Sequence, residues 1–125
     1  MKVLKGSCLC GDIRFETVAK PQSASMCHCS QCRKQSGGIW ASAQVRDTDI
    51  SISGPVSWFE ATSTAKRGSC PRCGSFLFWK GAGEDTISFA LGAIDGNSGL
   101  RVEKHIFTAS KGDYYEIADG VPQEH

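Results

Sequence analysis

Period-two alternation appears at Ile13 and Phe15, along Ile39, Ala41, Ala43 and Val45, at Ile50 and Ile52, and again at Val102, Lys104 and Ile106, where the middle position is charged. A period of two places each set on one face of an extended chain, so these segments are expected to be strands. Val56 to Phe59, Phe76 to Trp79 and Ile87 to Leu91 are short runs of aromatic and branched residues bounded by Gly, Pro, Asp or Ser. They read as further strands. Only Ser30 to Ser36 has a helical composition, and Gly37-Gly38 ends it after about two turns. Lys80-Gly81-Ala82-Gly83-Glu84-Asp85 has turn chemistry between two strands and reads as a hairpin loop. Its glycines lack the strand-to-helix setting of a phosphate cradle. The pattern therefore predicts an all-β fold with at most one short helix.

The chain has 125 residues, which suits one domain over residues 1–125. Fourteen glycines, four prolines and no repeat or low-complexity run point to many tight turns and no linker. Lys and Arg number 14 against 13 Asp and Glu, so the basic footprint of a nucleic-acid binder is missing and nucleic acid is an unlikely partner. No apolar run approaches the roughly 20 residues of a spanning helix. The opening Met1-Lys2-Val3-Leu4-Lys5-Gly6 lacks a secretory run, so a cytoplasmic protein is expected.

Seven cysteines change the picture. An odd number cannot pair fully within one chain, and a reducing cytosol does not keep disulfides, so metal ligation leads. The thiols fall into three groups: Cys8-Leu9-Cys10, Cys27-His28-Cys29-Ser30-Gln31-Cys32, and Cys70-Pro71-Arg72-Cys73. Cys-x2-Cys followed by Gly74 is the turn of a zinc knuckle, with backbone N–H groups aimed at the sulfurs. A structural zinc takes four ligands, so a second pair must join Cys70 and Cys73. Spacing alone does not fix which, but the arithmetic favours Cys8 and Cys10, because that choice keeps the middle triplet intact. Cys27, Cys29 and Cys32 would then hold a second Zn²⁺ with an open fourth position, as suits catalysis. Sulfur ligation also admits iron.

Four thiolates leave a zinc site at net −2 and three leave it at −1, so nearby cations matter. Arg33 and Lys34 follow the triplet and are candidate anion contacts, while Lys66, Arg67 and Arg72 flank the knuckle. His28 sits between two ligands, but adjacent side chains in an extended stretch point apart, so it is expected to pack or hydrogen-bond elsewhere. His105 serves as a base only if the fold returns it to the open site; otherwise it is structural. Trp40, Trp58 and Trp79 read as core.

Gly6-Ser7-Cys8-Leu9-Cys10-Gly11 with Ile13, the run Cys27 to Lys34, and Cys70-Pro71-Arg72-Cys73-Gly74-Ser75 together resemble the signature of the glutathione-dependent formaldehyde-activating family, which includes centromere protein V. His105-Ile106-Phe107 and Asp119-Gly120-Val121-Pro122 resemble its closing pattern, with Tyr114 or Tyr115 where a tryptophan is common. The resemblance implies a β-tent of small antiparallel sheets, a structural zinc on Cys8, Cys10, Cys70 and Cys73, and a catalytic zinc on Cys27, Cys29 and Cys32. It also implies carbon–sulfur lyase chemistry, in which glutathione and formaldehyde combine to S-(hydroxymethyl)glutathione or separate again. A soluble thiol adds to formaldehyde unaided, so a non-catalytic zinc module or glutathione carrier stands as the alternative. The sequence leaves the oligomeric state and the occupancy of the second site open.

Overall fold

The computed structural model describes residues 3–125, so Met1 and Lys2 of the opening segment lie outside it. The described elements are β1 (Leu4–Ser7), β2 (Arg14–Thr17), β3 (Ser23–Cys27), α1 (Ser30–Ser36), β4 (Trp40–Arg46), β5 (Ile50–Ser53), β6 (Ser57–Thr62), β7 (Ala65–Ser69), β8 (Phe76–Gly81), β9 (Thr86–Ala90) and β10 (Lys104–Ile106). Each strand expected from sequence is present, with Ile13, Ile39, Val56 and Val102 falling just before their strands and Leu91 just after its own, and the helix begins and ends where expected. Gly37 stops it in the left-handed region, at φ 87°, with its N–H bonded to Arg33 O. The turn at residues 82–85 joins β8 to β9 as a hairpin.

The sequence pattern does not mark β1, β3 and β7. Their sequences, LKGS, SASMC and AKRGS, carry little apolar alternation, because side chains of β3 and β7 line a cavity and β1 leads into a cysteine turn.

Two sheets form. One is antiparallel in the order β1-β2-β5, and the other runs β10-β3-β4-β9-β8-β7-β6. The all-β fold with one short helix is as expected; the larger sheet has seven strands, antiparallel except where β10 lies parallel to β3, with Ile106 opposite Cys27. The long segment 91–103 carries the chain from β9 to the far edge, which permits that parallel pairing.

The sheets close on a shared core. Phe15 of β2 meets Phe78 edge-on at 5.6 Å and Phe89 at 5.3 Å, with Ile13, Val45, Leu77 and Ile87 around them. Period two then assigns the faces: Ala24, Ala43 and Phe89 point into this core, while Ser25, Ser42 and Ser88 point to the opposite face. The unbroken run Phe76-Leu77-Phe78-Trp79 is explained by a bulge. Gly68 pairs with Phe78 and Ser69 with Phe76, leaving Leu77 as the extra residue. Leu77 and Phe78 thereby enter the main core, while Phe76 and Trp79 join a second apolar cluster with Cys27, Cys32, Trp40 and Ile106.

Candidate functional site

Two backbone turns build the first cysteine group. Cys8 N–H bonds Ile13 O and Gly11 N–H bonds Cys8 O; in the second turn Cys70 N–H bonds Ser75 O and Gly74 N–H bonds Cys70 O. Gly11 and Gly74 hold φ of 85° and 80°, which glycine adopts without steric cost. Each turn aims a backbone donor at sulfur: Ile13 N–H at Cys8 Sγ, 3.3 Å, and Cys73 N–H at Cys70 Sγ, 3.5 Å. Leu9 N–H also bonds Ser75 Oγ at 3.1 Å, tying one turn to the other.

The result brings Cys8, Cys10, Cys70 and Cys73 together, all four sulfurs lying within 4.8 Å of one another. Four thiolates about 2.3 Å from one ion would sit about 3.8 Å apart at the corners of a tetrahedron. The Cys8–Cys10 and Cys10–Cys70 separations are 3.6 and 3.7 Å. The donor set and its spacing fit a closed tetrahedral ion.

Cys27, Cys29 and Cys32 form the second group, again within 4.8 Å. Cys27 ends β3, Cys29 is the N-cap of α1, and Cys32 lies in its first turn. Cys32 N–H donates to Cys29 Sγ at 3.3 Å, so the sulfur caps the helix where a thiolate is favoured. Cys27 and Cys32 are buried, Cys29 half-buried. The three sulfurs could hold one ion, which would have a tetrahedral position without a cysteine donor. None of the seven cysteines is in a disulfide.

Both groups ionise unevenly. In the first, hydrogen bonds from Ser75 and from the Cys10 backbone hold Cys73 down to about 5. A backbone hydrogen bond from Asp12 opposes the effect of the neighbouring thiols on Cys10, yet it is pushed up to about 12. In the second, hydrogen bonds from Cys27, Arg67 and Cys29 hold Cys32 down to about 6 against burial, while Cys32 and burial push the Cys27 thiol up. A first thiolate is easily formed and the next is opposed by its charge, which is the state that a divalent cation relieves.

The second group opens on a cavity of about 490 Å³ along the sheet face opposite the main core. Across the strands it presents Ser25, Ser42, Gln44 and Ser88, with Trp40 and Trp79 at its wall. Two cations line it, Arg67 and Lys104, and none of the lining residues is Asp, Glu or His. Trp40 stacks on Phe76 at 4.2 Å, so the core reading holds for it, but Trp40 and Trp79 also face the cavity; Trp58 lies elsewhere, under Lys66 at 4.5 Å.

Arg33 and Lys34 sit in the last turn of α1, and neither lines the cavity. Arg67 does not serve the knuckle beside it in sequence. β7 turns its side chain toward the second group, where Nη1 donates to Cys32 Sγ at 3.5 Å and to Gln35 Oε1 at 3.3 Å. Arg72 stays at the first group, on the surface, 3.4 Å from Asp12.

The histidines form a feature that spacing does not reveal. His28 is fully buried and bonded through Nδ1 to the Tyr115 hydroxyl, and its Nε2 lies 2.8 Å from His105 Nδ1. His105 Nε2 lies 2.9 Å from Asp119 Oδ2. His28 is therefore not a ligand candidate, and His105 reaches its partner rather than the cysteines. Burial first, then His105 and Lys111, lower the His28 pKa.

Residues 3–110 match the family described as glutathione-dependent formaldehyde-activating enzyme. A Halomonas elongata protein, provisionally named a glutathione-dependent formaldehyde-activating enzyme, is 31% identical over 127 aligned positions, covering 92% of this chain and 81% of its own. A crystal structure of a Rhodobacter sphaeroides protein superposes with a TM-score of 0.62 at 24% identity, over 76% of this chain and 91% of that one; it supports the fold alone.

Proposed function

The chain belongs to the glutathione-dependent formaldehyde-activating enzyme family, and from that membership we propose a zinc-dependent carbon–sulfur lyase acting on thiol–aldehyde adducts of the S-(hydroxymethyl)glutathione type. The observation that carries this reading is a three-thiol group opening on a cavity that has two cations and no acidic side chain. Cys8, Cys10, Cys70 and Cys73 would hold a structural zinc, and Cys27, Cys29 and Cys32 a second, more labile one. An ion held by three thiolates supplies a Lewis acid that favours the ionised form of an incoming thiol or polarises an aldehyde oxygen.

In the forward direction the thiol sulfur bonds to the carbonyl carbon, the carbon–oxygen π pair moves to oxygen, and the thiol proton ends on that oxygen. The reverse reaction restores thiol and aldehyde. The protein's own part is placement. Ser25, Ser42, Gln44 and Ser88 offer hydrogen bonds along an extended peptide-like ligand, and Lys104, 3.1 Å from the exposed Glu124 carboxylate, offers a charge to a ligand carboxylate that takes the place of Glu124. We assign the anion contact to Lys104 rather than to Arg33 and Lys34. Residues 1–125 would act as one domain in a reducing cytoplasm, where the cysteines stay out of disulfides and available to metal. Among the described residues no helix is long and apolar enough to cross a membrane.

The test is the rate of S-(hydroxymethyl)glutathione formation with zinc-loaded protein. Acceleration above the uncatalysed background supports a lyase; a rate equal to background rejects it for this substrate. One observation favours the carrier alternative: the cavity lining has no His, Asp or Glu to act as a general base. A carrier binds glutathione saturably without turnover, and calorimetry showing no heat with any thiol rejects that version.

A further inference from the structure

Arg67 is 5% exposed, in the interior of a strand. A buried guanidinium without a counter-charge is costly, and the usual partner is a carboxylate. Among the described residues the ion pairs join Arg72 to Asp12, Lys80 to Asp47 and Lys104 to Glu124, and Asp119 is taken by the His105 ring, so Arg67 has no acidic partner. It spans instead from Cys32 Sγ to Gln35 Oε1, with its guanidinium 5.5 Å from the Phe76 ring centre and its buried Nε without a partner. Gln35 in turn bonds Ser69 Oγ at 3.4 Å, so α1 is fastened to the strand that carries Arg67.

The two cysteine groups differ in their need for such a residue. Cys8 and Cys70 of the first group are buried, but Cys10 is exposed and Cys73 half-buried, so water reaches one side of that group and screens part of its excess charge. In the second group none of the three cysteines is exposed, and Cys27 and Cys32 lie in an apolar cluster beneath the cavity, where an excess charge is less screened. Three thiolates and one divalent ion sum to −1, and one guanidinium brings the sum to zero. We propose that Arg67 is the positioning residue of the open group: its guanidinium orients Cys32 and neutralises the residual charge of three thiolates around a divalent ion. This rests on the reading that Cys27, Cys29 and Cys32 hold a cation. Arg67 thereby sets how tightly the second ion is kept, while the first group is indifferent to it.

Cobalt titration of apo protein tests this, with thiolate-to-metal absorption separating two binding steps. Arg67→Gln weakens the second step by about 10–100-fold, the range for groups that orient metal ligands, and leaves the first unchanged. Arg67→Lys keeps the charge, loses the fork, and falls between. Arg72→Gln, which removes an exposed charge beside the first group, changes neither step. An unchanged second step in Arg67→Gln overturns the proposal, and so does an equal loss in Arg72→Gln, which would mark a long-range effect of net charge. A parallel loss of both steps in Arg67→Gln also overturns it, as a general failure of folding; if that variant yields no protein, the Lys variant carries the same comparison. A single binding step in the wild type instead rejects the reading of the second group as a metal site.

Discussion

Tyr115, His28, His105 and Asp119 form one row of hydrogen bonds whose proton positions follow from its ends. Asp119 is held ionised by His105 and by the Val121 N–H, which keep its pKa below the usual value, so its carboxylate only accepts. His105 Nε2–H then donates to it, and with His28 neutral as the Nε2–H tautomer, His105 Nδ1 accepts from His28 Nε2–H and His28 Nδ1 accepts from the Tyr115 hydroxyl. The lowered His28 pKa favours its neutral ring, as this arrangement requires. NMR of the ring nitrogens is expected to find His28 as the Nε2–H tautomer and still neutral at pH 6.5, its ordinary midpoint; a half-protonated ring there contradicts it. The sign follows: the native pKa lies below the unfolded one, so this contribution is full above about 6.5 and is lost as pH falls below it. Tyr115→Phe leaves the buried His28 Nδ1 without a donor, and denaturant melts should show a loss of about 1–3 kcal/mol. A variant as stable as the wild type would show that the hydroxyl bond contributes nothing. The sequence placed His28 away from the ligand set because neighbours in an extended chain diverge. Its partners, 77 and 87 residues further on, leave no local mark.

Strands and turns were legible where one face packs on the main core, as at Phe15, Ala43 and Val45, and hidden where neither face carries an apolar repeat, as in β3 and β7. The bulge at Leu77 erases the alternation of β8, so only composition marked that strand. The second cavity cation was misassigned for a similar reason. Arg67 is near the knuckle in sequence, but side-chain direction along β7 sends it to the other group. Gly6 shows how closely β1 is seated: a Cβ there would collide with the Phe15 ring and stand 2.6 Å from Ala93 O. Gly6→Ala is expected to cost about 1–3 kcal/mol of stability, the range for overpacking. A melting temperature equal to that of the wild type would mean that β1 moves away freely.

At the scale of the whole molecule, the first cysteine group joins the N-terminal turn to one some 60 residues later, Cys10 to Cys70. It therefore closes β1 and β2 onto the hairpin sheet, and the small core alone has little reserve. Strong chelation is expected to lower the melting temperature in two stages, the open group releasing first with little loss of sheet signal and the closed group later with unfolding. Loss of all metal with unchanged far-UV dichroism and melting would show that the fold does not depend on it. That the cysteines divide four and three was legible because sulfur chemistry fixes the ligand number. The cavity was not, since its polar wall is assembled from strands far apart in the chain.

The most direct measurement is the zinc content of purified protein beside that of a variant with Cys27, Cys29 and Cys32 all changed to Ser. Two equivalents in the wild type and one in a folded variant are expected. No zinc in either, or the same content in both, would contradict the account.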